Sequence, residues 1–232
     1  RMKRLLEVDY ENQRVVVEPG VINLDVTGHV APKGYFYAPD PSSQSVCSIG
    51  GNVAENAGGA HCLKYGFTTT HVLGLEVVLA DGTLVHLGSS ALDAPGYDLP
   101  GVFVGSEGTL GVATKVTLRI VKRPEFVQTL LAAFASTNEA GAAVSGIIAA
   151  GMLPAAIEMM DTLSIEAAEA AVHANYPMCG GLLLVELDGF DSSSGLVLLA
   201  ATNRPESALK EDVLARLRIR MEVPDLNQRR ED

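Results

Sequence analysis

Glycine is concentrated in two segments of this 232-residue chain. The first, DPSSQSVCSIGGNVAENAGG, covers residues 40–59 and is followed by KYG at 64–66, whereas the second, VGSEGTLGV, covers 104–112. Glycine suits backbone that approaches a ligand closely, and such loops offer N–H groups to phosphate or carbonyl oxygens. We expect loops 48–59 and 105–111 to face each other across one groove that holds an elongated ligand. Tight turns that bind nothing are the alternative.

The spacing of these glycines excludes two common phosphate-binding motifs. Gly50-Gly51 and Gly58-Gly59 bracket the segment VAEN, for which one helical turn is expected. Neither G-x-G-x-x-G after a strand nor G-x-x-x-x-G-K-[ST] occurs, so a nicotinamide-type dinucleotide fold or a P-loop is not expected.

Composition narrows the class of protein further. The chain has 17 basic and 28 acidic residues, a formal charge of −11, which argues against a nucleic-acid surface. Hydrophobic residues make up 47% and tryptophan is absent, so the core should be aliphatic. Cys47, Cys62 and Cys179 lack metal-binding spacing, so we expect small buried thiols in a reducing compartment and no metal site.

The sequence carries no signal for a membrane span or for secretion. It has no apolar run of about 18 residues, and its start, RMKRLLEVDYENQ, is too polar for a signal peptide. We therefore expect a cytoplasmic protein. The start without methionine also suggests part of a longer polypeptide.

Elements in the first half should hold the glycine segments in place. The β-branched run RVVVEPG predicts a strand and turn over 14–20, and residues 21–33 fit one short helix. Asp81-Gly82 predicts the turn of a β-hairpin, and the alternation in 111–121 predicts a half-buried strand.

The second half changes in character after Pro124. Strands are predicted at 126–135, 154–161 and 181–189, and helices at 136–151, with a capping box from Ser136 to Glu139, and at 163–176. This β-α-β-α-β order predicts a small α+β domain with a mixed sheet and both helices on one side.

Two long motifs resemble those of a known family, the FAD-linked oxidases of the vanillyl-alcohol oxidase type. They are APDPSSQSVCSIGGNVAENAGGAHCLKYG and YDLPGVFVGSEGTLGVATKVTLR. The family includes D-lactate and D-2-hydroxyglutarate dehydrogenases and the FAD-binding subunit of bacterial glycolate oxidase. The resemblance covers residues 1–189 and implies an α+β fold: the second half of a PCMH-type FAD-binding domain at 1–124, then a partial ferredoxin-like cap domain at 125–189.

The resemblance implies FAD as the cofactor and assigns roles to matching positions. One group would border the flavin, a second would line its ring and pyrophosphate, a third would complete that wall, and a fourth would pass beside the adenine and ribose. In that order they are Pro41, Ser42 and Ser43; Ser48, Ile49, Gly50, Gly51 and Asn52; Asn56, Gly58 and Gly59 with Tyr65 and Gly66 nearby; and Glu107, Gly108, Gly111 and Val112.

Four ionisable residues have weaker claims to a role. Glu158 and Asp161 would lie in the substrate-facing strand AIEMMD, although solvation at a strand end explains them equally well. His61 and His71 resemble ordinary family positions, and we expect structural roles for both.

Two motifs of the family do not occur in this chain. They are the R-G-x-G-T-G loop, which holds the pyrophosphate from the other side, and the H-x-G-D-G-N-x-H motif, which binds a metal or acts as the base. The catalytic residues are therefore unknown, and we expect weak flavin affinity and negligible turnover from the chain alone.

The last segment, 190–232, resembles part of an AAA+ ATPase. Asn203 would end a sensor strand there, and Lys210 and Arg216 would fall in the stretch that follows. No Walker A or acidic Walker B motif accompanies it, so ATP hydrolysis is not expected.

The sequence supports one leading functional hypothesis and one competitor. The first is an FAD-dependent oxidoreductase that oxidises a small 2-hydroxy acid, with other glycolate oxidase subunits, including an iron–sulfur subunit, as partners. The competitor is a non-catalytic binding module that packs on a partner without flavin.

Overall fold

The computed structural model describes residues 2–90 and 96–189. The first region, residues 2–124, is built on an antiparallel five-stranded sheet in the order β1-β2-β6-β4-β5. A second antiparallel pair joins β3 to β7. The strands are β1 (Leu5–Asp9), β2 (Arg14–Val17), β3 (Tyr35–Phe36), β4 (Val72–Val78), β5 (Leu84–Gly88), β6 (Val112–Arg119) and β7 (Val121–Lys122).

The first region also contains short helices. They are α1 (Asn23–Val30), α2 (Ile49–Glu55), α3 (Cys62–Tyr65) and α4 (Leu99–Phe103), with 3-10 turns at Ala31–Lys33 and Thr68–His71. The core is aliphatic, as the composition predicted. Alternate residues of a strand point to the same face, so the fully buried Val15 and Val17 of β2 pack in one cluster with Val26 of α1 and Ile49 of α2.

Local signals in the first half are confirmed. Asp81-Gly82 turns β4 into β5, Gly82 has φ +85°, and the Asp81 carboxylate accepts the Thr83 N–H at 2.9 Å. The predicted strand and turn at 14–20 form as β2 and a turn at 19–20, and the buried Glu18 carboxylate between them accepts hydrogen bonds from Arg4. The predicted helix at 21–33 forms as α1 and the 3-10 turn after it.

The second region, residues 125–189, has the predicted β-α-β-α-β order. Its elements are β8 (Phe126–Phe134), α5 (Thr137–Ala149), β9 (Ala156–Asp161), α6 (Thr162–Val172) and β10 (Gly181–Gly189). Helix α5 begins with the predicted capping box, in which the Ser136 hydroxyl accepts the Glu139 N–H at 3.2 Å and the Glu139 carboxylate accepts the Ala135 N–H.

The prediction of a mixed sheet in the second region is wrong. The strand order is β8-β10-β9, and β10 is antiparallel to both neighbours. Strands β8 and β9 run in the same direction but are separated by β10, so no parallel pair forms. This split β-α-β topology is the one found in ferredoxin-like folds. Helix α5 covers the face that carries Leu183 and Val185, and the placement of α6 on that face stays a prediction.

In the described ranges, no helix is long and apolar enough to cross a membrane. The AAA+-like segment 190–232, with Asn203, Lys210 and Arg216, lies outside the described residues.

Candidate functional site

The first glycine segment forms a short, capped helix. The Ser48 hydroxyl accepts the Gly51 N–H at 3.2 Å, which starts α2. Asn56 ends the helix in the left-handed conformation, with φ +50°, and its side-chain oxygen accepts the Thr69 N–H at 3.0 Å. Before the helix, Ser43 C=O accepts two N–H groups and forms a turn in which Pro41 is buried and Ser42 and Ser43 are exposed.

The second glycine segment binds directly to the end of this helix. Gly105 N–H donates to Val53 C=O at 2.8 Å, and Glu107 N–H donates to Ala54 C=O at 3.0 Å. These carbonyls belong to the last turn of α2, which has no intrahelical donor for them. We predicted that the two loops face each other across one groove, but where Gly105 and Glu107 meet the end of α2 the loops are joined directly by hydrogen bonds.

Most of the predicted glycines are required by contacts within the chain. A Cβ at Gly50 would lie 2.7 Å from Pro19 Cβ, and one at Gly58 would lie 2.7 Å from Cys62 Sγ. The same kind of clash arises at three further positions: Gly59 against Asp40, Gly66 against Thr70 and Gly111 against Val77. For these five glycines the structure provides a packing reason, so ligand binding is not needed to explain them.

Gly51 and Gly108 are different. Gly51 is exposed and has an ordinary helical backbone. A Cβ built on it would lie 3.4 Å from Ser48 Oγ, which is an ordinary van der Waals distance. Gly108 is also exposed and has open space around a built Cβ, although its φ of +74° favours glycine. Neither packing nor φ therefore explains Gly51.

Buried polar atoms without partners lie beside these glycines. Asn52 is 2% exposed, and its amide nitrogen has no hydrogen-bond partner among the described residues. The hydroxyl of Ser106 is also buried and also lacks a partner there. Such groups are costly unless a ligand or water satisfies them. Two exposed apolar side chains, Leu110 and Val112, follow Ser106 and offer a surface for a flat ring.

His61 occupies a place that its sequence context did not indicate. Its Nδ1 lies 2.6 Å from the Asp40 carboxylate in the first region, and its Nε2 lies 2.9 Å from the Glu186 carboxylate of β10. The hydrogen bond to Asp40 raises the pKa of His61 to about 9. Partial burial opposes this shift, and the hydrogen bond to Glu186 adds to it. His61 is therefore an imidazolium at neutral pH. No local pattern signals this, since Glu186 is 125 residues away.

A second pair of contacts links the same elements. Lys64 pairs with Asp188 of β10, and the Tyr65 hydroxyl donates to the same carboxylate. Burial and the neighbouring Asp188 raise the pKa of Tyr65. Tyr65 was predicted to lie near the flavin, and here it joins the first region to the second.

The two regions enclose a cleft of about 280 Å³ at this contact. Asp40, His61, Tyr65, Glu186 and Asp188 line it, with Arg123 at its edge. His61 and Lys64 are already paired with carboxylates, whereas Arg123 forms no ion pair with another described residue. No cluster of His, Cys, Asp and Glu in the described part of the chain has metal-binding geometry.

Two of the remaining candidates, Asp161 and His71, have structural roles. Asp161 caps α6 by accepting the Ser164 N–H at 2.7 Å, and this hydrogen bonding lowers the pKa of its carboxyl. Glu158 is exposed beside Leu184. His71 is 2% exposed; burial lowers the pKa of its imidazole, and its Nε2 bonds to Tyr65 C=O at 2.9 Å. The structural role expected for His71 is thus supported, whereas His61 links the two regions.

Comparison with known proteins gives two family matches and several relatives. Residues 1–88 match the family described as FAD binding domain, and residues 123–217 match FAD linked oxidases, C-terminal domain. The glycolate oxidase subunit GlcD of Escherichia coli is 53% identical over 193 residues, which are 83% of this chain and 39% of that protein. The corresponding Bacillus subtilis subunit is 46% identical, over 81% of this chain and 40% of that protein.

More distant matches agree in class. A D-lactate dehydrogenase of Archaeoglobus fulgidus is 33% identical over 84% of this chain and 44% of that protein. A solved structure of alkyldihydroxyacetonephosphate synthase shares the fold, with a TM-score of 0.68 at 21% identity over 82% of this chain and 37% of that one. The chain thus spans about two fifths of the length of these relatives.

The family matches identify an FAD binding domain and the C-terminal domain of FAD linked oxidases within this chain, so FAD is its cofactor. The chain is similar to FAD-linked oxidoreductases, and its relatives include glycolate oxidase subunits and D-lactate dehydrogenases. The AAA+ resemblance predicted for 190–232 finds no support, since the match to the C-terminal domain of FAD linked oxidases runs through residue 217.

Proposed function

We propose that this chain forms one wall of the flavin site in an FAD-dependent oxidoreductase that oxidises a small 2-hydroxy acid such as glycolate or D-lactate. The names of the relatives, glycolate oxidase subunit and D-lactate dehydrogenase, support this substrate class. We also propose that the FAD-binding region ends near Pro124 and that residues 125–189 begin the cap domain over the substrate.

The observation that carries this proposal is Gly51 next to Asn52. An exposed helical glycine with no packing reason leaves room for a ligand against the backbone, and the unpartnered amide of Asn52 lies at the next position. The loop that contains Gly108 is hydrogen-bonded to the end of the same helix, so its exposed backbone would extend the proposed cofactor wall. These residues fit a large polar cofactor with a flat ring.

The chain's own residues would bind the cofactor and orient it. When bound, FAD supplies a hydride acceptor, its N5 atom, for the hydrogen on the substrate's α-carbon. The backbone at 51–52 and 105–108 would hold the cofactor, while Leu110 and Val112 would contact its rings. The second region would exclude water from the reacting atoms. Because both nitrogens of His61 are already bonded to carboxylates, His61 is not assigned as the base.

The proposal extends to partners and location. The relatives in Escherichia coli and Bacillus subtilis are named as subunits of glycolate oxidase, which supports association with other subunits. We propose that an iron–sulfur subunit is among them and that the protein works in the cytoplasm. A net charge of −11 argues against nucleic acid as a partner.

The test is a flavin titration followed by reduction. FAD fluorescence is followed as the 232-residue chain is added, and glycolate or D-lactate is then added without oxygen. Two results support the proposal. FAD binding should be saturable and only weakly displaced by free riboflavin, and one of these acids should slowly bleach the flavin absorbance band. A chain that binds no FAD would instead favour the non-catalytic binding module.

A further inference from the structure

The contact between the two regions is concentrated on a few side chains next to a glycine segment. Gly58-Gly59 leads directly into 61–65, and the Gly59 N–H donates to Cys62 Sγ at 2.9 Å. His61 and Tyr65 then bond to Glu186 and Asp188 of β10. A shift of β10 is therefore transmitted to the end of the proposed flavin-binding wall.

The protonation state of His61 determines how many hydrogen bonds its imidazole can donate. An imidazolium has two N–H donors, and both are used here, one for Asp40 and one for Glu186. A neutral imidazole has only one. When the proton stays on the shorter bond to Asp40, the lone pair of Nε2 faces the Glu186 carboxylate, so an attraction between the regions becomes a repulsion.

The charges around His61 come from every element that packs against it. Asp40 precedes the helix α2 segment, Lys64 and Tyr65 lie on its own helix, and Arg123 lies in the linker to the second region. On the cap sheet, β10 contributes Glu186 and Asp188, and β9 contributes Glu158 on the same face as Glu186. Lys64 and Tyr65 still hold Asp188 when His61 loses its proton, so the contact loosens without being released.

We propose that His61 is a pH-dependent positioning residue, which fixes β10 of the second region against the 58–66 segment when protonated and loosens that contact when neutral. This goes beyond the proposed function and does not depend on flavin. The raised pKa of His61, about 9, keeps the contact formed at neutral pH. It is lost as the pH rises through about 9.

The experiment measures the 58–66 segment without flavin. The Tyr65 and Gly66 amides bond to His61 C=O and Cys62 C=O, both at 2.9 Å, and report on the α3 turn. Millisecond pulsed hydrogen exchange on the 232-residue chain gives their protection, each rate being divided by that of an unstructured peptide at the same pH. The 15N resonances of labelled histidine give the midpoint for His61 in the same samples.

The variants separate the proposal from a merely structural role. In the wild-type chain, protection should fall about tenfold or more between pH about 7.5 and about 10, the loss expected for one charge-assisted hydrogen bond. His61→Gln should be poorly protected at both values, with no pH step. His29→Gln removes an exposed histidine of the same region and should match the wild type.

Glu186→Gln keeps His61 in place. It tests the proposal if circular dichroism shows that His61→Gln does not fold. It should lower the His61 midpoint and shrink the pH step. Protection that does not change with pH in the wild-type chain, or a full pH step that persists in His61→Gln or Glu186→Gln, would overturn the proposal.

Discussion

Replacing Gly51 with alanine should change folding and flavin binding in opposite directions. Gly51 lies in the first turn of α2, has no positive φ, and would place its new Cβ 3.4 Å from Ser48 Oγ, an ordinary contact. Alanine restricts the unfolded chain and favours helix, so Gly51→Ala should raise the free energy of unfolding by about 0.5 kcal/mol. The same methyl group points into space that we assign to the cofactor. Crowding of that kind costs about 1–3 kcal/mol, which is a loss of about 5- to 150-fold in FAD affinity.

The assay pairs urea denaturation with FAD fluorescence titration on the same preparations. Gly146→Ala is the matched control, because Gly146 is an exposed helical glycine of α5 with nothing near a built Cβ. It should stabilise the fold to a similar or slightly greater extent and leave FAD binding unchanged. The reasoning is refuted if Gly51→Ala binds FAD as the wild-type chain does, because Gly51 would then have neither a packing reason nor a ligand reason.

Three further predictions concern stability. The pKa of His61 is raised from 6.5 to about 9, so its stabilisation is complete below about pH 6.5 and is lost as the pH rises through about 9. Screening at this half-buried site reduces the loss to about 1–2 kcal/mol between pH about 7 and about 10 in urea melts, and His61→Gln should abolish it. Ser136→Ala removes the cap of α5 and should cost about 1 kcal/mol by the same assay; an unchanged midpoint would contradict the capping box. Leu183→Ala, at a side chain 1% exposed, should cost about 2–4 kcal/mol, whereas Leu131→Ala, at 50%, should cost under about 1 kcal/mol; equal losses would contradict the assigned strand faces.

Features set by neighbouring residues could be predicted from the sequence. The hairpin at Asp81-Gly82 and the capping box at Ser136 each depend on contacts within four residues, and both formed as predicted. The order of strands in the second region could not be obtained in this way. The apolar residues of 181–189 predict a strand, but they do not distinguish an edge strand from a central strand. The position of β10 between β8 and β9 is a property of the whole sheet.

The role of His61 was missed for a related reason. Its two carboxylate partners lie 21 and 125 residues away, and nothing around His61 distinguishes it from an ordinary surface histidine. Glu186 likewise lies near the end of a predicted strand, where a solvated carboxylate is the ordinary interpretation. A contact between regions depends on two surfaces, and the sequence of each surface alone shows only polar residues. Only their juxtaposition makes His61 an imidazolium held by both regions.

The glycines show how one residue type hides two different causes. Composition alone left ligand-binding loops and tight turns as alternatives for all of them, yet Gly58 is required by the contact of its backbone with Phe67 and Cys62, whereas Gly51 touches nothing that alanine would disturb. The same sequence signal thus arises from internal packing at one position and from accessible backbone at another. Since neither packing nor φ explains Gly51, and the buried amide of Asn52 at the next position lacks a partner among the described residues, these two positions carry our proposal for the cofactor wall.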